Sequence, residues 1–264
     1  MSYRGESPSK KYTRLQFWET GSKIVPDFTS KDALFLSGPD CGDGSVLLGL
    51  GMKPSRMHAC DTDKHAVAAA IWKTPQIEVH HTDVFKYAER RSFGSVFLDF
   101  CGPLRESMID KCAALIPRIT KGGVFGIGLL AGREQGLLAT SVKGCLSEYD
   151  GDSFLARAYM VTSALHHRRA KLRLRNGWYY VSHGQRRYGK PMIVLLYEVR
   201  AGRQPNPEKQ IESAALEEVA LTSSDLAQEI LEADDAGKKA TLLYNVTSGT
   251  LAACKAHRAR GTYQ

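Results

Sequence analysis

Several things are missing from this chain of 264 residues. No apolar run approaches the roughly 20 residues that a membrane-spanning helix needs. The first twenty residues, MSYRGESPSKKYTRLQFWET, lack the continuous apolar segment of a secretory signal, so a cytoplasmic protein without a membrane partner is expected. The cysteines Cys41, Cys60, Cys101, Cys112, Cys145 and Cys254 form no CxxC or Cys/His pattern. Structural zinc needs close ligand pairs, so no metal is expected and the thiols read as small hydrophobes. His80, His81, His166 and His167 have no ligand spacing either and read as structural. There is no internal repeat. Acids are absent from His166 to Lys190, where eight Lys/Arg residues fall, whereas they dominate 206–235; Lys255–Arg260 is basic again. With a formal net charge of +8, this segregation suits faces that meet phosphate.

What is present is an alternation of strand and helix signals. Residues 1–10 read as a loose arm. Tyr12, Leu15, Phe17, Trp18 and Ile24 give 11–27 a helical period, so 1–32 forms an arm and an edge helix. Short apolar runs at Ala33–Ser37, Met57–Cys60, Ile77–His80, Ser95–Asp99 and Val124–Leu129 predict five strands. Helices are expected at Gly44–Gly51, Asp63–Lys73, from Val84, and at Glu106–Arg118. Such alternation means a doubly wound parallel sheet, whose ligands sit beyond the carboxyl ends of the strands. Ala131–Lys171 interrupts the pattern as a helical, substrate-side insertion, notably over Phe154–His167. Trp178–His183 and Met192–Val199 then predict a terminal antiparallel hairpin. The expected domain is 33–200, followed by a linker at 201–222, rich in Pro and Gly where it begins.

Gly42 and Gly44 follow the first strand, where glycine lets backbone approach a ligand closely. Leu47 stands where a dinucleotide fingerprint needs a third glycine, and no Gly-Lys-Ser/Thr follows, which argues against NAD and ATP. In these residues the first two hundred positions resemble class I S-adenosylmethionine-dependent methyltransferases of Rossmann-like fold. The resemblance implies S-adenosylmethionine as cofactor. It places Gly38, Asp40, Gly42 and Gly44 on the first glycine motif, with Gly38 where the family has an acid and Asp40 where it has the first glycine. Asp40 or Asp43 would then serve the methionine end. Asp61, with Thr62 beside it, matches the acid that accepts from the ribose hydroxyls. Asp83 matches the acid that reads the adenine amino group, and Val84 would supply a backbone N–H. Leu115–Leu129, with Gly122 and Gly123, resembles the family's turn into the fifth strand. For Asp61 and Asp83 a plain helix N-cap is the alternative.

The same resemblance places the substrate-facing motif at Asp99-Phe100-Cys101-Gly102-Pro103. Asp99 would accept from a target amino group and Phe100 would stack on a flipped base, as in amino-methylating nucleic-acid enzymes, although the two prolines and terminal aromatic are absent. Asp99 as a helix cap, and Cys101 as nucleophile or as pocket lining, are the other readings.

Residues 223–264 read as a small all-helical module. Around YNVTSGT, Asn245, Val246 and Ser248 suit a tight turn between helices, and the stretch resembles a helix-turn-helix over about 20 residues. Its last helix carries Lys255, Arg258 and Arg260, which would meet phosphate or read guanine. Arg168, Arg169, Lys171, Arg186, Arg187 and Lys190 would line the catalytic domain's nucleic-acid side. The expected function is thus methyl transfer to nucleic acid, with DNA favoured. RNA methylation and a non-catalytic DNA-binding regulator of the same fold are the rivals. Sequence does not fix the oligomeric state.

Overall fold

A computed structural model of the chain describes residues 8–131, 141, 143–146, 149, 153–168, 170–182, 190–201 and 206–219. The expected helix-turn-helix module, with Lys255, Arg258 and Arg260, lies outside the described residues, as do Arg169, Arg186, Arg187 and the side chains of Cys101 and Lys190.

Helix α1 spans Pro8–Ile24 and is followed by β1 at Ala33–Leu36, α2 at Gly42–Gly49 and β2 at Met57–Asp61. Next come α3 at Lys64–Lys73, β3 at Glu78–His81, α4 at Val84–Ala88 and β4 at Phe93–Pro103. Then α5 covers Glu106–Leu115 and β5 Ile119–Leu130, with α6 at Ser153–His167, β6 at Leu172–Ser182 and β7 at Lys190–Val199. Helix α7 at Pro207–Ser213 and β8 at Ala215–Val219 complete the described chain.

These strands form one sheet in the order β3-β2-β1-β4-β5-β7-β6-β8. The first five are parallel, β7 is antiparallel to both β5 and β6, and β8 runs parallel to β6. The α/β doubly wound reading and the five strands with a terminal hairpin hold. Residues 207–219 differ from the expected linker: Pro207 opens α7, the Asn206 side chain accepts from Glu208 N–H at 2.9 Å, and β8 adds an eighth strand. The proline that suggested a linker marks a helix start. Helix α1 also begins earlier than expected, at Pro8, within the stretch expected to be a loose arm.

The core has one cluster on each face of the sheet. On one face α1 and α2 cover Phe35, Phe97, Val124, Trp178 and Tyr180. On the other, α4, α5, α6 and α7 cover Leu34, Val96, Leu98, Phe125 and Leu195. Strand alternation produces this division, since successive side chains leave opposite faces.

Helix α1 is seated by two glycines of β5. A Cβ at Gly126 would stand 2.1 Å from the Phe17 ring, which stacks on Phe97 at 4.2 Å between centroids. A Cβ at Gly128 would stand 2.6 Å from Asp99 Oδ1. With Tyr12, Phe17 and Trp18 buried, each contributing about 1.5–3 kcal/mol, α1 belongs to the core. Gly126→Ala should therefore cost about 1–3 kcal/mol by overpacking, read as a lowered midpoint in urea denaturation with unchanged slope.

At the sheet edge, Tyr87 Oη lies 3.0 Å from His58 Nδ1 and 2.9 Å from His80 Nε2. Burial lowers the pKa of His80 from 6.5, and that of His166 likewise. The unfolded chain thus binds protons that the folded one rejects, and this part of the stability is present above pH 6.5 and lost as pH falls below it. Denaturation midpoints at pH 7.5 and 5.5 should differ in that direction, and His80→Gln should shrink the difference.

Candidate functional site

The carboxyl ends of β1, β2, β3 and β4 carry most of the residues singled out by sequence, each in a distinct setting. Asp61 closes β2, is half-buried, and its Oδ1 accepts from Asp63 N–H at 2.8 Å. Among the described residues Oδ2 has no partner, so one carboxylate oxygen remains for a ligand. Thr62 is exposed, its carbonyl oxygen 3.1 Å from His81 Nε2. Asp83 is the N-cap of α4, accepting from Phe85 N–H at 2.8 Å and Lys86 N–H at 3.4 Å. Its Oδ2 lies 3.5 Å from Lys111 Nζ. Val84 is buried beneath it. Asp61 is not the N-cap of α3, because Asp63 takes that place and accepts from His65 N–H, whereas Asp83 caps α4 and already has partners for both oxygens.

The glycine turn departs from expectation. Helix α2 begins at Gly42, two residues before the expected start, so Gly42 and Gly44 lie in its first turn. A Cβ at Gly44 would stand 2.4 Å from Ile77 Cδ1, which makes this glycine a packing requirement. The residue with open space and a left-handed backbone is Gly38, at φ +53°, directly after the buried Ser37. Asp40 is ion-paired with Lys73, which ties the turn to α3.

Asp43 is 1% exposed and faces α1: Trp18 Nε1–H donates to its Oδ1 at 2.7 Å, and Arg14 Nε lies 2.9 Å from Oδ2. One turn further along α1, Lys10 Nζ lies 2.7 Å from Asp99 Oδ2, with Arg14 Nη2 at 4.0 Å from the same oxygen. Lys10, Arg14 and Trp18 recur every four residues and so line one face of the helix. Two cations and two acids thus meet where β1 and β4 end. Sequence reasoning missed Lys10, Arg14 and Trp18; the four-residue spacing was visible, but their partners stand 25 to 89 positions away (Trp18 to Asp43 and Lys10 to Asp99).

Asp99 and Phe100 separate. Asp99 continues the face of Phe97 toward α1, while Phe100 joins the opposite cluster and stacks on Phe85, centroids 6.1 Å apart. Neighbouring strand residues point to opposite faces, so the joint hydrogen-bonding and stacking of one base expected from the motif is not realised. Asp99 is also not a helix cap: the N-cap of α5 is Arg105. The described cysteines Cys41, Cys60, Cys112 and Cys145 are buried, and burial pushes the Cys60 thiol up to about 12. Of the basic residues expected on a nucleic-acid face, Arg168 pairs with Asp110 and Lys171 is exposed.

Among the described residues, the buried Ser37 Oγ and Asp99 Oδ1 have no hydrogen-bond partner. Ser37 directly follows β1, the strand that pairs with β4 as far as Phe35–Phe97. Leaving such atoms unmet costs about 1–3 kcal/mol each.

No family model matches the chain, and no curated protein matches it. Among solved structures, it is similar to a putative class I S-adenosylmethionine-dependent methyltransferase from Listeria monocytogenes, at 10% identity over 90% of this chain and 69% of that one, with a TM-score of 0.49. It is also similar to the N-methyltransferase NodS from Bradyrhizobium japonicum, at 12% identity over 74% of this chain and 98% of that one, TM-score 0.44. A putative RNA methyltransferase from Pyrococcus horikoshii shows 13% identity over 73% of this chain and 84% of that one, TM-score 0.45.

Arg14 is the hinge of the buried charge group. Arg14→Met should strand the Asp43 carboxylate and cost about 3–5 kcal/mol, measured by chemical denaturation. Lys73→Met, at a half-exposed pair, should cost no more than about 1 kcal/mol.

Proposed function

We propose that the protein is an S-adenosylmethionine-dependent methyltransferase. The observation that carries the reading is Asp61. It ends β2 beside the glycine turn after β1, is half-buried, and among the described residues one of its carboxylate oxygens has no partner. A carboxylate so placed accepts from the two hydroxyls of a ribose. Asp83 and the backbone at Val84 stand one strand further out, at the end of β3, where an adenine would follow. The residues present fit the cofactor: an open acceptor for ribose, open space at Gly38, and unmet polar atoms at Ser37 and Asp99. When bound, the cofactor supplies an electrophilic methyl group, and the chain's part is to bind, orient and exclude water.

For the acceptor we propose nucleic acid. The net charge of +8 and the acid-free run from His166 to Lys190 support it. DNA and RNA are the two arms of the test.

Calorimetric titration with S-adenosylmethionine should give binding that Asp61→Ala removes while leaving the melting temperature nearly unchanged; full affinity in that variant would overturn the site. Incubation with methyl-labelled cofactor and duplex DNA or total RNA should label one of them. Label in neither, with cofactor binding intact, would remove nucleic acid as substrate.

A further inference from the structure

We infer that the outer face of α3 is where two copies of this chain meet, in a two-fold contact centred on Ile71 and Trp72. Helix α3 reads KHAVAAAIWK, with an unbroken apolar run from Ala66 to Trp72. Ala66, Val67 and Ala70 are buried against the sheet. Ala68, Ile71 and Trp72 are exposed and recur at spacings of three and four, so they form one stripe on the outer side. Among the described residues, Ile71 at 47% and Trp72 at 82% are the exposed large hydrophobic side chains. Scattered singly, such residues are ordinary. Here they adjoin, and one is a tryptophan, the type that anchors interfaces. A helix apolar all round belongs to an interior, yet its own chain gives α3 a sheet on one side. That sheet ends at β3, the strand α3 leads into, and among the described residues no strand lies beyond it.

Charge identifies the occupant. Lys64 opens α3, is exposed, and has no ion pair among the described residues. Glu78 stands at the other end of the helix, where the chain enters β3; its side chain is 72% exposed and lies 3.6 Å from His80 Nε2. Ile71 is equidistant from both in the sequence. Two α3 helices related by a two-fold axis at Ile71 run antiparallel. Lys64 of each copy then faces the partner's Glu78, so the same ion pair forms twice, while each Trp72 covers the partner's stripe. A nucleic acid fits this face less well. Lys73 is engaged by Asp40, and the exposed Asp63 and Glu78 flank the stripe, where they repel phosphate. Chains of net charge +8 also repel each other least through a face of balanced charge. A standard interface takes about 800 Å² from each partner. One stripe supplies less, so the contact extends over the exposed Pro75 and Gln76 and the dimer is a reversible one.

Sedimentation velocity over a dilution series should show a dimer dissociating to the mass of one chain. The chain has three tryptophans, and Trp18 and Trp178 are buried, so dilution should also move the fluorescence emission to the red as Trp72 meets water. Trp72→Ala should raise the dissociation constant at least about thirtyfold, as loss of an interface anchor does. Lys64→Glu should weaken the dimer severalfold, and Lys64→Glu combined with Glu78→Lys should restore it, a recovery that no general loss of fold gives. Should Trp72→Ala lose the wild-type circular dichroism spectrum, this charge exchange decides alone: recovery upholds the inference and its absence overturns it. Wild-type protein that stays monomeric at about 0.1 mM overturns it, as does a dimer that survives both Trp72→Ala and Lys64→Glu. If the protein is monomeric and Trp72→Ala weakens its binding to duplex DNA or total RNA, the face is a nucleic-acid surface and the inference falls.

Discussion

The buried ion pair between Arg14 and Asp43 is the constraint around which the rest of the molecule is arranged. Its charges lie beneath a helix that also carries Phe17 and Trp18 into the aromatic core. Burying two charges is costly unless the geometry is good and further donors are supplied. Trp18 supplies one to Asp43. The consequence is that α1, α2 and the ends of β1 and β4 are positioned together. Shifting α1 by one residue would break the pair, unstack Phe17 from Phe97 and empty the space left by Gly126. A site at these strand ends inherits that rigidity.

The periodic elements were legible in the sequence because they obey local rules. The five parallel strands and the hairpin could be read from short apolar runs, and the capping role of Asp83 from the preference of short polar side chains for helix starts. Asp61 could be read too, because a strand end followed by an acid is a local signal. What escaped were properties of tertiary contact. That Gly44 serves Ile77 and Gly128 serves Asp99 depends on which element lies opposite. Strand β8 escaped because Ala215–Val219 pairs with β6, some 40 positions earlier, and the proline and glycine ahead of it read as a linker.

Asp99 and Phe100 show how a motif read along the chain can mislead about space. Adjacent letters suggest adjacent tools, yet in a strand they are the two residues least able to touch the same ligand. The alternation that sends Phe100 to Phe85 also sends Asp99 to Lys10. The neighbours of Asp99 are therefore Gly128 on β5 and a lysine from the first helix.

Strand β8 settles where the chain leaves the sheet. Because β7 reverses direction twice over, against β5 and against β6, both β6 and β8 point the same way as β1 to β5. The described chain's end at Val219 therefore lies at the same, carboxyl end of the strands as Asp61 and Asp99, but on the far edge strand, and the first turn of α1 also lies toward that end. Both ends of the described chain, at Pro8 and Val219, thus lie toward the carboxyl ends of the parallel strands, separated across the width of the sheet.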